Sequence, residues 1–101
     1  MPVVDGFDFL GCFKDNSERD LAITAPRISG GYTHSTCNAY CASQEATVFA
    51  LQHGDQCFCD NDYSTPSDTY HAVPEGNCQR AGFPTLSGGA WANAIFRVAL
   101  P

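Results

Sequence analysis

Six cysteines in a chain of 101 residues are the side chains best placed to do chemistry, and their spacing selects among the chemistries open to sulfur. Cys37 and Cys41 stand one helical turn apart and share a helix face, whereas Cys57 and Cys59 alternate along a strand and share a strand face. Oxidative pairing fits this arrangement: a helix stapled twice to a strand. Cys37 is set against Cys59 and Cys41 against Cys57 in the first instance, which leaves Cys12 to reach Cys78. Six cysteines allow about 15 pairings, so other orders stay open. Each such loop closure stabilises by roughly 2 to 4 kcal/mol, mainly by restricting the unfolded chain. Zinc fits less well, because C-x2-C knuckles are absent and His34, His53 and His71 are not at zinc-finger spacing from one another. Free core thiols are the remaining alternative.

Other reactive groupings are weaker. Asp60-Asn61-Asp62 clusters hard oxygen ligands, but the full calcium-loop pattern with its distant Glu is missing, and a solvated turn explains the run equally well. The chain has no G-x-S-x-G elbow, no H-E-x-x-H and no Gly-rich phosphate loop. Two carboxylates could in principle hydrolyse a glycoside, but a stapled domain of this size hardly supplies the groove, so no catalytic activity is expected. Five Lys and Arg against eleven Asp and Glu give a formal charge of −6, which repels nucleic acid and anionic membranes. No apolar run approaches the roughly 18 residues of a membrane span. Met1-Pro2-Val3-Val4-Asp5 lacks the regions of a signal peptide, so the chain is expected to be a mature fragment or an excised module. It has no N-x-S/T sequon.

The elements that must position the cysteines follow from local patterns. Phe7 to Phe13 alternates as a first strand and weakens at Gly11. Asp15 to Gly31 has no sustained period, and Pro26 with Gly30-Gly31 predicts an ordered loop. Thr33 is the expected N-cap of a helix over His34 to Gln44. Ala46 to Gln52 and Gln56 to Asp60, joined at Gly54-Asp55, predict a hairpin. Asn61 to Pro84 is expected to be mostly loop, tied down by Cys78. Trp91 to Val98 returns to strand composition, with Ala94, Phe96 and Val98 on one face and Trp91, Asn93, Ile95 and Arg97 on the other, and suits a strand closing a small antiparallel sheet. The length allows one domain, residues 7–101, after an N-terminal extension over residues 1–6.

Leu10-Gly11-Cys12-Phe13-Lys14-Asp15, Arg19, Leu21, Thr33 through Cys37 and Cys41, Gly54 through Asn61, Val73-Pro74, Cys78 and Gly88-Gly89-Ala90-Trp91 together resemble the WSC domain, from about Phe9 to Val98. That family usually carries one more pair of cysteines, in the neighbourhoods occupied here by Gln79 to Gly82 and Leu86 to Gly89. This chain resembles a six-cysteine variant with the loop from Arg80 to Ser87 less constrained. The resemblance implies an extracellular or cell-surface module of α+β class. It further implies one main helix packed on an antiparallel sheet, as in the PAN or apple architecture, and binding of cell-wall glycans such as β-glucan or xylan.

Sugar rings pack their C–H faces on aromatic rings, and their hydroxyls need paired donors and acceptors. Of twelve aromatic residues, Phe9, Phe49, Phe58 and Phe96 sit in strand contexts and are expected in the core. Tyr32, Tyr63 and Tyr70 lie in polar loops and are expected to face solvent. For Trp91 the core is favoured over a ligand platform. For Asp15 and Arg19 a structural ion pair is favoured over a polar clamp on a sugar hydroxyl. The resulting expectation is a non-catalytic, secreted or cell-surface carbohydrate-binding module with Asp15, Arg19, Tyr32, Asp62, Tyr63, Tyr70 and Trp91 as candidate contacts. No cofactor, metal, nucleic acid or membrane insertion is expected, and a larger parent protein or self-association completes the set of partners. The alternative is a protein-interaction or self-association module of a surface protein.

Overall fold

Thr33 starts the helix through a reciprocal pair of hydrogen bonds. Its Oγ1 accepts from the Thr36 amide at 3.2 Å, and Thr36 Oγ1 accepts from the Thr33 amide at 2.8 Å. In this computed structural model, which describes residues 3–100, the helix α1 spans His34–Ser43 and Gln44 caps its end. It turns His34, Cys37 and Cys41 inward.

Six strands form one antiparallel sheet: β1 (Val3–Val4), β2 (Phe7–Lys14), β3 (Ile23–Thr24), β4 (Val48–Gln52), β5 (Gln56–Asp60) and β6 (Ala92–Arg97). The spatial order is β1-β2-β6-β4-β5-β3. The register between β2 and β6 shifts between Phe9 and Gly11, where the alternation weakens. Met1, Pro2 and Pro101 lie outside the described residues; Val3 and Val4 pair with Asp8 and Phe7. The strand near the C-terminus does not merely close the sheet. It is inserted between β2 and β4, which buries every residue from Ala92 to Phe96. The helix with one antiparallel sheet and three bridges is the expected α+β arrangement.

The bridges are Cys12–Cys78, Cys37–Cys57 and Cys41–Cys59. The helix cysteines thus meet the strand cysteines as their spacing suggests and Cys12 meets Cys78, while the order within the two staples is Cys37 with Cys57 and Cys41 with Cys59, not the exchanged order set out first. Later cysteine meets later cysteine because α1 runs in the same sense along β5, and an exchanged pairing would require the opposite sense. The sulfurs of Cys37, Cys41 and Cys57 lie within 4.8 Å of one another, but each is oxidised in a bridge and offers no thiolate to a metal.

Side-chain alternation splits the interior into two cores. On the helix side lie the disulfides with Phe9, Phe49, Leu51 and Phe96, where the rings of Phe49 and Phe96 stack at 5.0 Å. On the other side Leu21, Val48, Ala50, Phe58 and Ile95 are covered by the loops after β2 and β5. Phe9, Phe49, Phe58 and Phe96 are all buried, as their strand contexts indicate. The long segment after β5 is loop except for a 3-10 turn over Glu75–Cys78.

The Arg80 to Ser87 loop is tied down without a fourth bridge. The Gly54 amide donates to Ser87 O at 3.1 Å, the Leu86 amide to Gln79 Oε1 at 3.1 Å, and His34 Nε2 lies 3.0 Å from Leu86 O. Beyond it the chain threads a narrow passage: a Cβ on Gly88 would sit 2.1 Å from Leu51 O, and Gly88 has a φ of 86°. Gly88→Ala is expected to cost about 3 kcal/mol, from a backbone clash added to an unfavourable φ, and urea unfolding measures the loss.

Candidate functional site

On the sheet face away from the helix, the inward alternation of β4 and β6 ends in amides instead of apolar groups. Gln52 and Asn93 are both buried, and Gln52 Nε2 donates to Asn93 Oδ1 at 2.9 Å and to Asp15 Oδ2 at 2.7 Å. Asp15 sits there because its amide extends the β2–β6 pairing, donating to Trp91 O at 2.8 Å. Its carboxylate also accepts from the Asp20 amide at 2.9 Å and from Arg19 Nη1 at 3.3 Å. Arg19 Nη1 is in turn 3.3 Å from Gln52 Oε1. The expected Asp15–Arg19 ion pair is present, with the carboxylate buried and the guanidinium partly exposed. Burial of one partner and a second acceptor hold the guanidinium in one place, which an exposed pair would not do.

Two aromatic rings flank that guanidinium: Arg19 Cζ is 4.9 Å from the Phe58 ring centroid and 5.0 Å from that of Trp91. Trp91 is 47% exposed, which corrects the core placement favoured from sequence. It stands at the tip of a tight turn in which the Gly89 amide donates to Ala92 O and the Ala92 amide to Gly89 O. Its own φ is 52°, and Arg19 takes 65°. Both are left-handed conformations that a non-glycine residue holds at a cost of about 1 to 2 kcal/mol. Strain of this kind collects where side-chain placement matters more than local stability. The buried Asn93 Nδ2 has no hydrogen-bond partner among the described residues.

The remaining candidates are elsewhere. Tyr32 and Tyr70 are 8% and 6% exposed, so neither faces solvent as expected. Tyr32 donates to Pro26 O at 2.6 Å, closing its own loop, and Tyr70 to Asn16 Oδ1 at 3.0 Å, tying its loop to the one after β2. Tyr70 reaches a segment 54 residues away and Tyr32 packs edge-on to Tyr40 of the helix, contacts that a polar loop context does not show. Tyr63 is half-buried, edge-on to Phe13 at 5.3 Å, and Asp62 is exposed with Oδ1 accepting from the Tyr63 amide. The oxygens of Asp60 and Asn61 are likewise engaged by the chain, at the Ala22, Asn61 and Thr47 amides. Asp15, Arg19 and Trp91 are thus brought together; Asp62, Tyr63 and Tyr70 do not join them, and Tyr32 meets Arg19 only in the lining of a neighbouring cleft. Gln52 and Asn93 complete the group; their one sequence signal is a polar residue at an inward position of an apolar strand.

Asp20 carries the nearby Ser64 and Thr65 amides on its carboxylate. Burial raises its carboxyl above the ordinary 3.8, with Asp15 and Asp60 adding to the rise and the two amides opposing it. A raised acid favours the protonated folded state, so its contribution to stability is fullest below 3.8 and declines as pH rises through the raised value. The stability advantage of the wild type over Asp20→Asn is therefore expected to narrow from acid to neutral pH. Paired urea titrations measure it, and a widening gap would contradict the assignment.

Beside Arg19, between the loop leading into α1 and strand β5, opens a cleft of about 170 Å3 lined by Arg19, Arg27, Ile28, Tyr32, Asp55 and Phe58. Among the described residues no helix is long and apolar enough to cross a membrane.

A family model for the WSC domain matches residues 9–83, a stretch that contains Asp15, Arg19, Gln52, Phe58 and the cleft, while Asn93 and Trp91 lie beyond it. Xylosyltransferase sqv-6 of Caenorhabditis elegans is 30% identical over 98 residues, covering 87% of this chain and 11% of that protein. The chain therefore spans about a tenth of the length of that relative. With the family pattern running through most of its length and all six of its cysteines paired, the chain belongs to the WSC domain family.

Proposed function

We propose that this domain is a non-catalytic carbohydrate-binding module of an extracellular or secretory-pathway protein, recognising neutral cell-wall polysaccharide of the β-glucan or xylan type. The observation that carries the reading is the half-exposed Trp91 ring beside a guanidinium fixed by Asp15 and Gln52. The ring offers a flat apolar face for sugar C–H groups, and the guanidinium offers donors for hydroxyls at its edge. The placement of a domain-length match within a much longer protein named as a xylosyltransferase is consistent with a binding accessory to sugar chemistry carried out elsewhere. A single shallow site of this kind binds weakly, and repetition or tethering to a larger protein raises its effective affinity.

The test is retention of the oxidised domain on insoluble β-1,3-glucan, xylan, chitin and cellulose, with soluble oligosaccharide as competitor. Selective retention that the matching oligosaccharide reverses is expected. Absence of retention on all four polymers would overturn the reading in favour of a protein partner or self-association.

A further inference from the structure

We infer that the cleft beside Arg19 is a second sugar subsite, taking an uncharged pyranose unit next to the one on Trp91; this rests on the carbohydrate reading above. Arg19 links the two places, since its guanidinium contacts both the Trp91 and Phe58 rings while its side chain and Phe58 line the cleft. A glycan with one unit on Trp91 and the next in the cleft would meet the same Arg19 side chain at both.

The lining suits hydroxyls. Arg27 is exposed and forms no ion pair among the described residues, so its donors are free. The Asp55 carboxylate is the matching acceptor: its Oδ1 is buried, 3.8 Å from His53 Nδ1 and without a hydrogen-bond partner among the described residues, and the side chain as a whole remains 41% exposed. The exposed part of that carboxylate is what a sugar hydroxyl in the cleft meets, as an acceptor. The half-exposed Ile28 supplies an apolar edge for a ring face. One free guanidinium and one carboxylate leave the cleft close to neutral, because Arg19 is already balanced by Asp15. A uronate or sulfated unit would meet Asp55 and the −6 charge of the chain, whereas a hydroxyl both donates and accepts and so uses both groups.

The test is calorimetric titration of the wild type, Arg27→Ala, Asp55→Asn and Trp91→Ala with the disaccharide and hexasaccharide of whichever polymer retains the domain, with an oligogalacturonate as the acidic probe. Arg27→Ala and Asp55→Asn are expected to weaken hexasaccharide binding about tenfold each while changing disaccharide binding little, because the shorter ligand occupies the Trp91 face alone. The oligogalacturonate is expected to bind more weakly than the neutral hexasaccharide. If Trp91→Ala abolishes binding but both cleft variants bind the hexasaccharide like the wild type, the second subsite is wrong and the carbohydrate reading stands. If the wild type binds none of the neutral polymers or their oligosaccharides, both fall. Unchanged unfolding curves for Arg27→Ala and Asp55→Asn separate the removal of a hydroxyl partner from a damaged fold.

Discussion

The paired exchange Cys12→Ala and Cys78→Ala is expected to lower the unfolding free energy by about 4 kcal/mol. The bridge closes a loop with a sequence separation of 66, against 20 and 18 for the two helix staples. Cross-link entropy grows with loop length, so the staples are each worth nearer 3 kcal/mol, by the order of magnitude of such closures. A small domain holds only about 5 to 15 kcal/mol in total, so the loss is a large fraction of its margin. Part of the damage is local as well. Cys78 O accepts from the Gly88 amide at 2.9 Å, and Gly88-Gly89 lead into the Trp91 turn. Urea unfolding of oxidised protein, wild type against the paired variant, measures the difference. A loss below about 1 kcal/mol would mean that the unfolded chain is already held compact without the bridge.

Trp91→Ala is expected to reduce glycan retention by at least about tenfold, the equivalent of one aromatic platform, while stability changes by no more than about 1 kcal/mol. The small effect on stability follows from the exposure of the ring, since its stacking on Arg19 is the main folded-state interaction that alanine removes. Trp91→Gly provides an independent control. Glycine relieves the φ of 52° that tryptophan occupies there, so this variant is expected to fold at least as well as the alanine and to bind no better. Retention unchanged in both folded variants would sink the aromatic-platform mechanism. Tyr32→Ala is a contrasting case: with its ring buried and its hydroxyl bonded to Pro26, it is expected to act first on stability, so an effect on the ligand would come with a shifted unfolding curve.

The sequence by itself determined the features that short-range chemistry controls. The Thr33 cap needs only Thr36 three residues on. The shared faces of Cys37 with Cys41 and of Cys57 with Cys59 need only the periods of helix and strand. The β4–β5 hairpin needs only its turn, and the family pattern is an ordered set of such local marks. The tertiary structure alone decided which cysteine met which, because that depends on the relative direction of α1 and β5. It also decided that β6 lies inside the sheet, that Tyr32 and Tyr70 are roofed over while Trp91 is left half in solvent, and that Gln52 and Asn93 close a polar network around Asp15. Burial and amide pairing are set by neighbours brought from tens of residues away, and no window of local sequence contains both partners of such a contact.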